Sequence, residues 1–202
     1  KLDVPKVSMK MIAELKKEYL EKIKMIVFDV DGVLVPRGTK IKQTGNITTL
    51  ETKLIEKRQI EQIKELNKKR FLINISSGRG LYMLQEMFRE VLPFVSLTYE
   101  NGSATWYNGK IYQHVNSLEY LKDVFPRLKQ VINDNVKGFE PKEFIITIHC
   151  TKRVREIEKI IKGEKSLYAV WNDEAYEIGI KKEQTKAIGF RLVMKIFKLE
   201  KK

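Results

Sequence analysis

The sequence predicts an α/β fold in which an open parallel sheet carries a site at the carboxyl ends of its strands. Three short apolar runs support this prediction, at residues 24–29, 71–75 and 94–98. Each run has the length of a buried strand and ends in small, polar or charged residues. Helical patterns separate the runs. Strands that alternate with helices are typical of parallel sheets, whose ligands bind beyond the carboxyl ends of the strands.

The first of these strands ends in two carboxylates, Asp29 and Asp31, which are followed by Gly32. Residues i and i+2 of a strand share a face, so the two carboxylates can converge on one point. Gly32 lets the backbone turn sharply away from the strand. One carboxylate can then act as a nucleophile and the other as a general acid or base. The alternative is a strand that ends in an ordinary polar turn, because Asp and Gly are common turn residues.

The segment that follows the first strand predicts a flap and then a helix. Residues 33–47 contain one proline and two glycines, which favours a turn leading into a flap. Thr48 and Glu51 form a plausible capping box, which would begin a helix that reaches Leu66. Two further helices are predicted, at residues 7–23 and 81–91.

The second half of the chain predicts an inserted α+β unit. Residues 104–112 have the pattern of a hairpin with the favoured Asn-Gly turn. The elements after it predict an antiparallel sheet with helices on one face. We therefore divide the chain into a core at 1–104, an inserted unit at 105–183 and a return to the core at 184–202. Helices are predicted at 118–136, with a possible kink at Pro126, and at 153–162 and 185–197. Strands are predicted at 144–150, 166–171 and 175–180.

Four short motifs lie at the predicted strand ends and at the start of the last helix. They are Asp29-Val30-Asp31-Gly32, Ser77-Gly78-Arg79, Glu100-Asn101-Gly102 and Thr185-Lys186. In order, spacing and placement, these motifs resemble those of the haloacid dehalogenase superfamily. More narrowly, they resemble the α/β-capped branch of phosphoglycolate, sugar-phosphate and sucrose-phosphate phosphatases. The resemblance covers about residues 23–195 and implies a Rossmann-like core with an inserted cap.

The resemblance also implies roles for individual residues. Asp29 would be the nucleophile that forms an aspartyl-phosphate, and Asp31 would be the general acid and base. Ser77 would donate a hydrogen bond to the phosphoryl group, and Lys186 would neutralise charge. Asp29 and Asp31 would also hold Mg²⁺. The implied substrate-binding residues are Gly32, Gly78, Arg79, Asn101 and Gly102. Five further residues are candidates for specificity because they fall near a loop tip of the cap, although they could equally be ordinary cap surface: Trp171, Asn172, Asp173, Glu174 and Tyr176.

Other interpretations of three of these residues remain open at this point. Ser77 could instead be the N-cap of the following helix. Arg79 could close an ion pair in the core as readily as bind substrate. Lys186 could be a solvated lysine on a helix, since the chain contains many lysines.

One motif of the family has no counterpart in this sequence. Relatives normally follow the lysine helix with a strand and a Gly-Asp-x-x-x-Asp type loop, whose acids hold magnesium. This chain contains no Gly-Asp pair and ends at Lys202, shortly after the predicted helix. We expect either that the carboxyl-terminal part of the core lies beyond this sequence, or that the chain is a metal-poor relative.

Composition narrows the class of partner and the compartment. The formal net charge of +13 favours anionic partners such as phosphate esters or nucleic acid. Cys150 is the only cysteine, which excludes an intrachain disulfide and predicts a reducing, cytoplasmic environment. Apolar runs of membrane-spanning length do not occur.

The sequence therefore predicts a magnesium-dependent phosphatase for a small phosphorylated metabolite, such as phosphoglycolate or a sugar phosphate. A phosphomutase is an alternative within the enzymes. A non-catalytic relative that binds nucleic acid or a protein is the alternative from another class. The net charge, the amino-terminal helix and the missing acidic loop favour that last hypothesis. The amino-terminal helix could pack on the core or on a partner subunit, so a homodimer is also possible.

Overall fold

The computed structural model describes Glu18 and residues 21–45, 47–51 and 53–199. Most of the helix predicted at 7–23 lies outside these residues. In chain order the described elements are β1 (Met25–Asp29), β2 (Lys40–Thr44), β3 (Ile47–Glu51), α1 (Lys57–Lys68), β4 (Leu72–Ser76), α2 (Leu81–Met87), β5 (Val95–Tyr99), β6 (Ala104–Tyr107), β7 (Lys110–Gln113), α3 (Leu118–Leu121), α4 (Val124–Lys129), β8 (Val136–Glu140), β9 (Ile146–Cys150), α5 (Arg155–Lys162), β10 (Leu167–Trp171), β11 (Ala175–Ile180) and α6 (Lys186–Ile196).

The main sheet of the described residues has the strand order β1-β4-β5-β6-β7. Strands β1, β4 and β5 are parallel, and this confirms the predicted α/β fold with a parallel core. Their carboxyl ends are aligned, because Asp29 pairs with Ser76 and Ser76 pairs with Thr98. Ile73, Ile75 and Leu97 are fully or almost fully buried on this sheet. The turns that follow the three strands therefore begin at one edge of the sheet.

The hairpin with the Asn-Gly turn extends the main sheet instead of opening the inserted unit. Strand β6 pairs antiparallel with β5 and β7 pairs with β6. Asn108 and Gly109 both have positive φ, as the tight turn requires. Burial explains why the hairpin joins the main sheet, because Ala104 and Thr105 are fully buried beside β5. We place the start of the inserted unit after β7, and the division into domains remains a prediction.

The capping box predicted at Thr48 and Glu51 is wrong. Both residues belong to β3, which pairs with β2 in a two-stranded hairpin that we call the flap, Lys40–Glu51. The helix begins at Lys57, and its capping box is formed by Glu56 and Gln59. The pattern at Thr48 misled because the threonines at 48 and 49 favour a strand, and the partner strand lies directly before them.

Residues 114–185 contain a second sheet with the strand order β10-β11-β9-β8, which we call the inserted sheet. All its neighbouring strands are antiparallel, as predicted. The single helix predicted at 118–136 is wrong, since α3 and α4 are short and β8 begins at Val136. Pro126 lies in the first turn of α4. Its ring would clash with the Lys122 carbonyl in a continuous helix, so the helix ends and begins again.

Helix α6 brings the end of the described chain back to the main sheet. Thr185 is its N-cap, and the hydroxyl accepts a hydrogen bond from the backbone N–H of Ile188 at 3.2 Å. The helix packs on β4, β5 and β6, where Val193 is fully buried. Within the described residues, no helix is both long and apolar enough to cross a membrane.

Gly102 sets how closely α6 approaches the turn after β5. A Cβ atom on Gly102 would lie 2.6 Å from the Thr185 carbonyl oxygen and 2.9 Å from the Gly189 backbone, and φ is +85°. We predict that Gly102→Ala lowers the free energy of unfolding by at least about 3 kcal/mol, through both the clash and the backbone strain. Urea unfolding followed by circular dichroism measures this change.

Gly109→Ala is the matched control for that variant. Gly109 has φ of +77°, and no heavy atom lies within 4 Å of its added Cβ. It should therefore cost only the backbone strain of about 1–2 kcal/mol. If both variants lowered the free energy of unfolding equally, the close contact between Gly102 and α6 would make no contribution to stability.

Candidate active site

Asp29, the last residue of β1, faces a lysine from the far end of the sequence. The Nζ atom of Lys186 lies 2.7 Å from both carboxylate oxygens of Asp29. The backbone N–H of Val30 also donates to Asp29 Oδ1 at 2.8 Å. The two paired side chains are nearly half exposed, and an exposed ion pair contributes only about 0.2–1 kcal/mol to stability. The pair therefore organises a charged site more than it stabilises the fold.

Asp31 is held by Arg79 from the turn after β4. Arg79 Nε donates to Oδ2 at 3.0 Å and Nη2 donates to Oδ1 at 2.6 Å, which makes a bidentate ion pair. The Arg79 side chain is 6% exposed, whereas that of Asp31 is 36% exposed. Of the two interpretations left open for Arg79, the structure shows the ion pair. Its role in substrate binding remains a prediction.

Ser77 is buried in the same turn. Its hydroxyl accepts a hydrogen bond from the backbone N–H of Arg79 at 3.2 Å. The N-cap of α2 is Gly80, so the interpretation of Ser77 as a helix cap is wrong. The carbonyl of Gly78 accepts a hydrogen bond from Lys142 Nζ at 2.8 Å. The phosphoryl contact expected of Ser77 remains a prediction.

The turn after β5 adopts an unusual backbone conformation. Glu100, Asn101 and Gly102 have φ values of +47°, +57° and +85°. The N–H of Glu100 donates to the Arg79 carbonyl, and that of Asn101 donates to the Ser77 carbonyl, both at 3.1 Å. Glu100 and Asn101 are strained in this left-handed region, whereas Gly102 adopts it freely, and such strain persists only where surrounding contacts over-determine it. This turn therefore holds the turn after β4 in place.

One cavity of about 240 Å³ collects six of the predicted site residues. They come from the turns after β1, β4 and β5 and from the start of α6: Asp29, Asp31, Gly78, Arg79, Asn101 and Lys186. We call it the central cavity. The other three predicted residues lie in the same turns, outside its described lining. Gly32 (φ +81°) turns the chain after Asp31, Ser77 lies beneath Gly78, and Gly102 contacts α6.

The opposite wall of the central cavity comes from the inserted sheet. Of the five specificity candidates, Asn172 and Glu174 line the cavity, whereas Asp173 is outside its described lining. The rings of Trp171 and Tyr176 contact each other with centroids 4.9 Å apart and planes tilted by 53°. Sequence reasoning missed the other lining residues of this wall. Thr147 and His149 could have been found, because they alternate with apolar residues along β9. The missed lining residues are Glu140, Lys142, Thr147, His149, Ala175 and Glu177.

Three of these missed residues form a buried charged cluster. His149 Nε2 lies 3.0 Å from Glu140 Oε2, and Lys142 Nζ lies 3.4 Å from Glu140 Oε1. Burial alone would raise the pKa of Glu140, but Lys142 and His149 together outweigh burial and lower that pKa. Glu140 is therefore a stable carboxylate, and it balances the lysine that binds the Gly78 carbonyl.

The carboxylates of the cavity are suitable ligands for magnesium. Mg²⁺ binds oxygen, commonly through one or two protein carboxylates together with substrate phosphate and water. Asp29 and Asp31 fit this donor set. In the part of the chain that the structure describes, no group of three or more His, Cys, Asp and Glu side chains could hold a metal ion.

The motifs around this cavity belong to a known family. The sequence model of the haloacid dehalogenase-like hydrolases matches residues 26–135, more than half of the chain. The matched region contains the turns after β1, β4 and β5, which carry Asp29, Asp31, Gly78, Arg79 and Asn101 of the cavity lining. The chain is therefore a member of the haloacid dehalogenase-like hydrolase family. No curated protein matches it.

Solved structures share its fold at low sequence identity. A phosphatase of the haloalkanoate (HAD) enzyme superfamily from Bacteroides thetaiotaomicron has a TM-score of 0.64 and 14% identity over 93% of this chain and 78% of its own. A Thermoplasma acidophilum protein has a TM-score of 0.63 and 18% identity, covering 88% and 73%. A HAD subclass IIB sugar phosphatase has a TM-score of 0.56 and 17% identity, covering 88% and 77%. At these identities the similarity concerns the fold.

Glu100 links the main sheet to the inserted sheet and should give stability a pH dependence. Its buried carboxylate accepts hydrogen bonds from the backbone N–H groups of Glu143, Phe144 and Ile145 at 2.6–3.1 Å. Burial raises the pKa of Glu100 above 4.5, although these hydrogen bonds and Lys142 lower it in part. The folded protein therefore keeps a proton on Glu100 to higher pH than the unfolded chain does.

We predict that the stabilising contribution of Glu100 is complete below pH 4.5 and is lost as pH rises through its raised pKa. Urea unfolding of the wild type and Glu100→Gln across pH 4–8 measures this contribution. The wild-type free energy minus that of the variant should fall with rising pH. Glu156→Gln, on helix α5, controls for the removal of a carboxylate. A difference that rises with pH would contradict the assignment.

Proposed function

We propose that this protein is a phosphatase that hydrolyses a small phosphorylated metabolite through an aspartyl-phosphate on Asp29. The observation that carries the proposal is the convergence of Asp29, Asp31, Arg79 and Lys186 on one cavity. A phosphate monoester is a dianion, so its hydrolysis requires charge neutralisation and an aligned nucleophile. Lys186, 2.7 Å from both oxygens of Asp29, supplies a cation beside the carboxylate that would attack.

In the proposed reaction an oxygen of Asp29 attacks phosphorus, and the bond between phosphorus and the leaving oxygen breaks. Asp31, protonated from solvent once its pair with Arg79 has opened, gives that proton to the leaving oxygen. It then takes a proton from a water molecule that attacks the aspartyl-phosphate, and this releases phosphate and restores Asp29. The covalent intermediate divides hydrolysis into two steps, and Asp31 acts as the acid in the first and as the base in the second. Each step then has a lower barrier than direct attack by water.

The ion pairs of the cavity suggest how substrate reaches the two carboxylates. Lys186 and Arg79 each donate to both oxygens of one carboxylate, so neither Asp29 nor Asp31 is free of its cation. A phosphate dianion offers oxygens to the same two cations. Its binding would weaken both pairs and release Asp29 to attack and Asp31 to transfer a proton.

Mg²⁺ is the cofactor that we propose. Asp29 and Asp31 would hold it, and the ion would offset negative charge on the phosphoryl group when bound. Asn101 and Gly78 would bound the phosphate site, while Gly32 and Gly102 would shape the turns that carry it. Ser77 is proposed as a hydroxyl donor to the phosphoryl group, because its oxygen accepts from the Arg79 N–H and leaves its own O–H free to donate.

We further propose a cytoplasmic location, because the single cysteine, Cys150, is free and buried.

Two alternative functions make different predictions from those of the phosphatase. A phosphomutase would return the phosphate to the substrate and would need a bisphosphate activator. A binding protein would retain salt-sensitive affinity for nucleic acid and show no turnover, as the net charge of +13 would allow.

We predict that Asp29→Asn lowers turnover of p-nitrophenyl phosphate by at least about a thousandfold, since the variant lacks the nucleophile. The measurement is release of p-nitrophenol, with magnesium and with a chelator, after circular dichroism confirms folding. Asp134→Asn, in an exposed turn, is the matched control and should keep wild-type rates. Wild-type rates in Asp29→Asn would exclude the mechanism, and an inactive wild type would favour the binding function.

A further inference from the structure

A second, larger groove lies beside the central cavity. It has a volume of about 640 Å³ and runs between the flap and the inserted sheet. Arg37, Thr39, His149 and Glu174 line both the groove and the cavity. The two spaces are therefore adjacent, and a molecule bound through its phosphate in the cavity could extend toward the groove.

Direct packing between the flap and β8 builds this groove. A Cβ atom on Gly138 of β8 would lie 2.9 Å from Gln43 Oε1 and 3.5 Å from Ile41 Cδ1 of β2. The missing side chain at Gly138 thus lets the flap rest on the inserted sheet. One wall of the groove is the flap, and the other carries Lys137 and His149.

Positive charge dominates the groove. Its lining includes two carboxylates, Glu51 and Glu174, and Lys40 pairs with Glu51 at 4.0 Å with both side chains exposed. An exposed pair at that distance neutralises little of either charge. The five cationic residues in the lining are Arg37, Lys40, Lys42, Lys53 and Lys137.

The volumes indicate that the substrate is larger than the central cavity. Sites for small molecules typically span about 300–1,000 Å³. The central cavity, at about 240 Å³, lies below that range, and the two spaces together lie within it.

The charges of the cavity and of the groove differ as well. The cavity holds five carboxylates among its cations, whereas the groove has an excess of cations and would select a leaving group that is itself anionic.

We infer that the groove binds a second phosphate group of the substrate, so that the preferred substrate is a bisphosphorylated metabolite. This inference rests on the proposed phosphatase function. The reacting phosphate would lie in the central cavity, and the leaving group would carry its own phosphate past Arg37 to the lysines of the flap and of β8. Lys42 and Lys137 face the groove from its two walls and are the residues that distinguish such a substrate.

The test compares bisphosphates with monophosphates in the intact chain. We measure kcat/KM for fructose 1,6-bisphosphate against fructose 1- and 6-phosphate, and for adenosine 3′,5′-bisphosphate against adenosine 5′-phosphate. The wild type should prefer at least one bisphosphate by about tenfold, because a charge-assisted hydrogen bond to phosphate has about that effect. Lys42→Ala/Lys137→Ala should remove most of the preference, and so should high salt.

Lys110→Ala/Lys152→Ala is the matched control, because it removes the same charge from exposed lysines outside the groove. It should retain the preference. Monophosphates preferred in both pairs, or a preference unchanged in Lys42→Ala/Lys137→Ala, would overturn the inference. So would a variant effect seen only with a phosphorylated oligonucleotide, which would point to nucleic acid. Failure of the wild type to hydrolyse p-nitrophenyl phosphate would instead overturn the proposed function on which the inference rests.

Discussion

The turn Glu100-Asn101-Gly102 is the constraint on which the rest of the site depends. Its N–H groups bind the carbonyls of the turn that holds Ser77 and Arg79. The Glu100 carboxylate binds three N–H groups of the segment that joins β8 to β9 in the inserted sheet. Gly102 admits α6 at backbone contact, which brings Lys186 to Asp29. Three separate segments are thus positioned by three residues, of which Glu100 and Asn101 hold left-handed conformations that these contacts maintain.

Electrostatic pairing explains how so many charges share a small space. Asp29 is paired with Lys186 and Asp31 with Arg79, while Glu140 is paired with Lys142 and His149. Unpaired buried charge is costly, so each pair limits the penalty of gathering these groups. The pairs at the carboxyl edge of the main sheet are more exposed than the Glu140 cluster. In the more exposed pairs, an anionic ligand can replace the carboxylate as the partner of Lys186 or Arg79. The buried Glu140 cluster keeps its partners and holds the wall of the cavity in place.

The strand ends could be predicted from the sequence because their signals are local. An apolar run that ends in Asp29 and Asp31 predicts both a strand and a site, and the parallel core is confirmed. The placement of the 104–113 hairpin could not be predicted. Its Asn-Gly turn is a local signal, but pairing with β5 depends on tertiary packing that the local sequence does not encode. The same holds for Lys142, which follows β8 in an irregular segment and carries no local signal. The alternation of His149 with apolar residues does predict a polar strand face, but only the tertiary fold turns that face toward the cavity.

The hydrogen bonds of Glu100 also bear on how the two sheets separate. Pulling the inserted sheet away at residues 143–145 would strip a buried carboxylate of three donors, and Lys142 would lose the Gly78 carbonyl. An unsatisfied buried group costs about 1–3 kcal/mol, and more when it is charged. The contacts of Gly138 with the flap involve a neutral amide and a methyl group. We therefore expect Glu100 to act as a pivot, with reactants and products passing on the side of the flap.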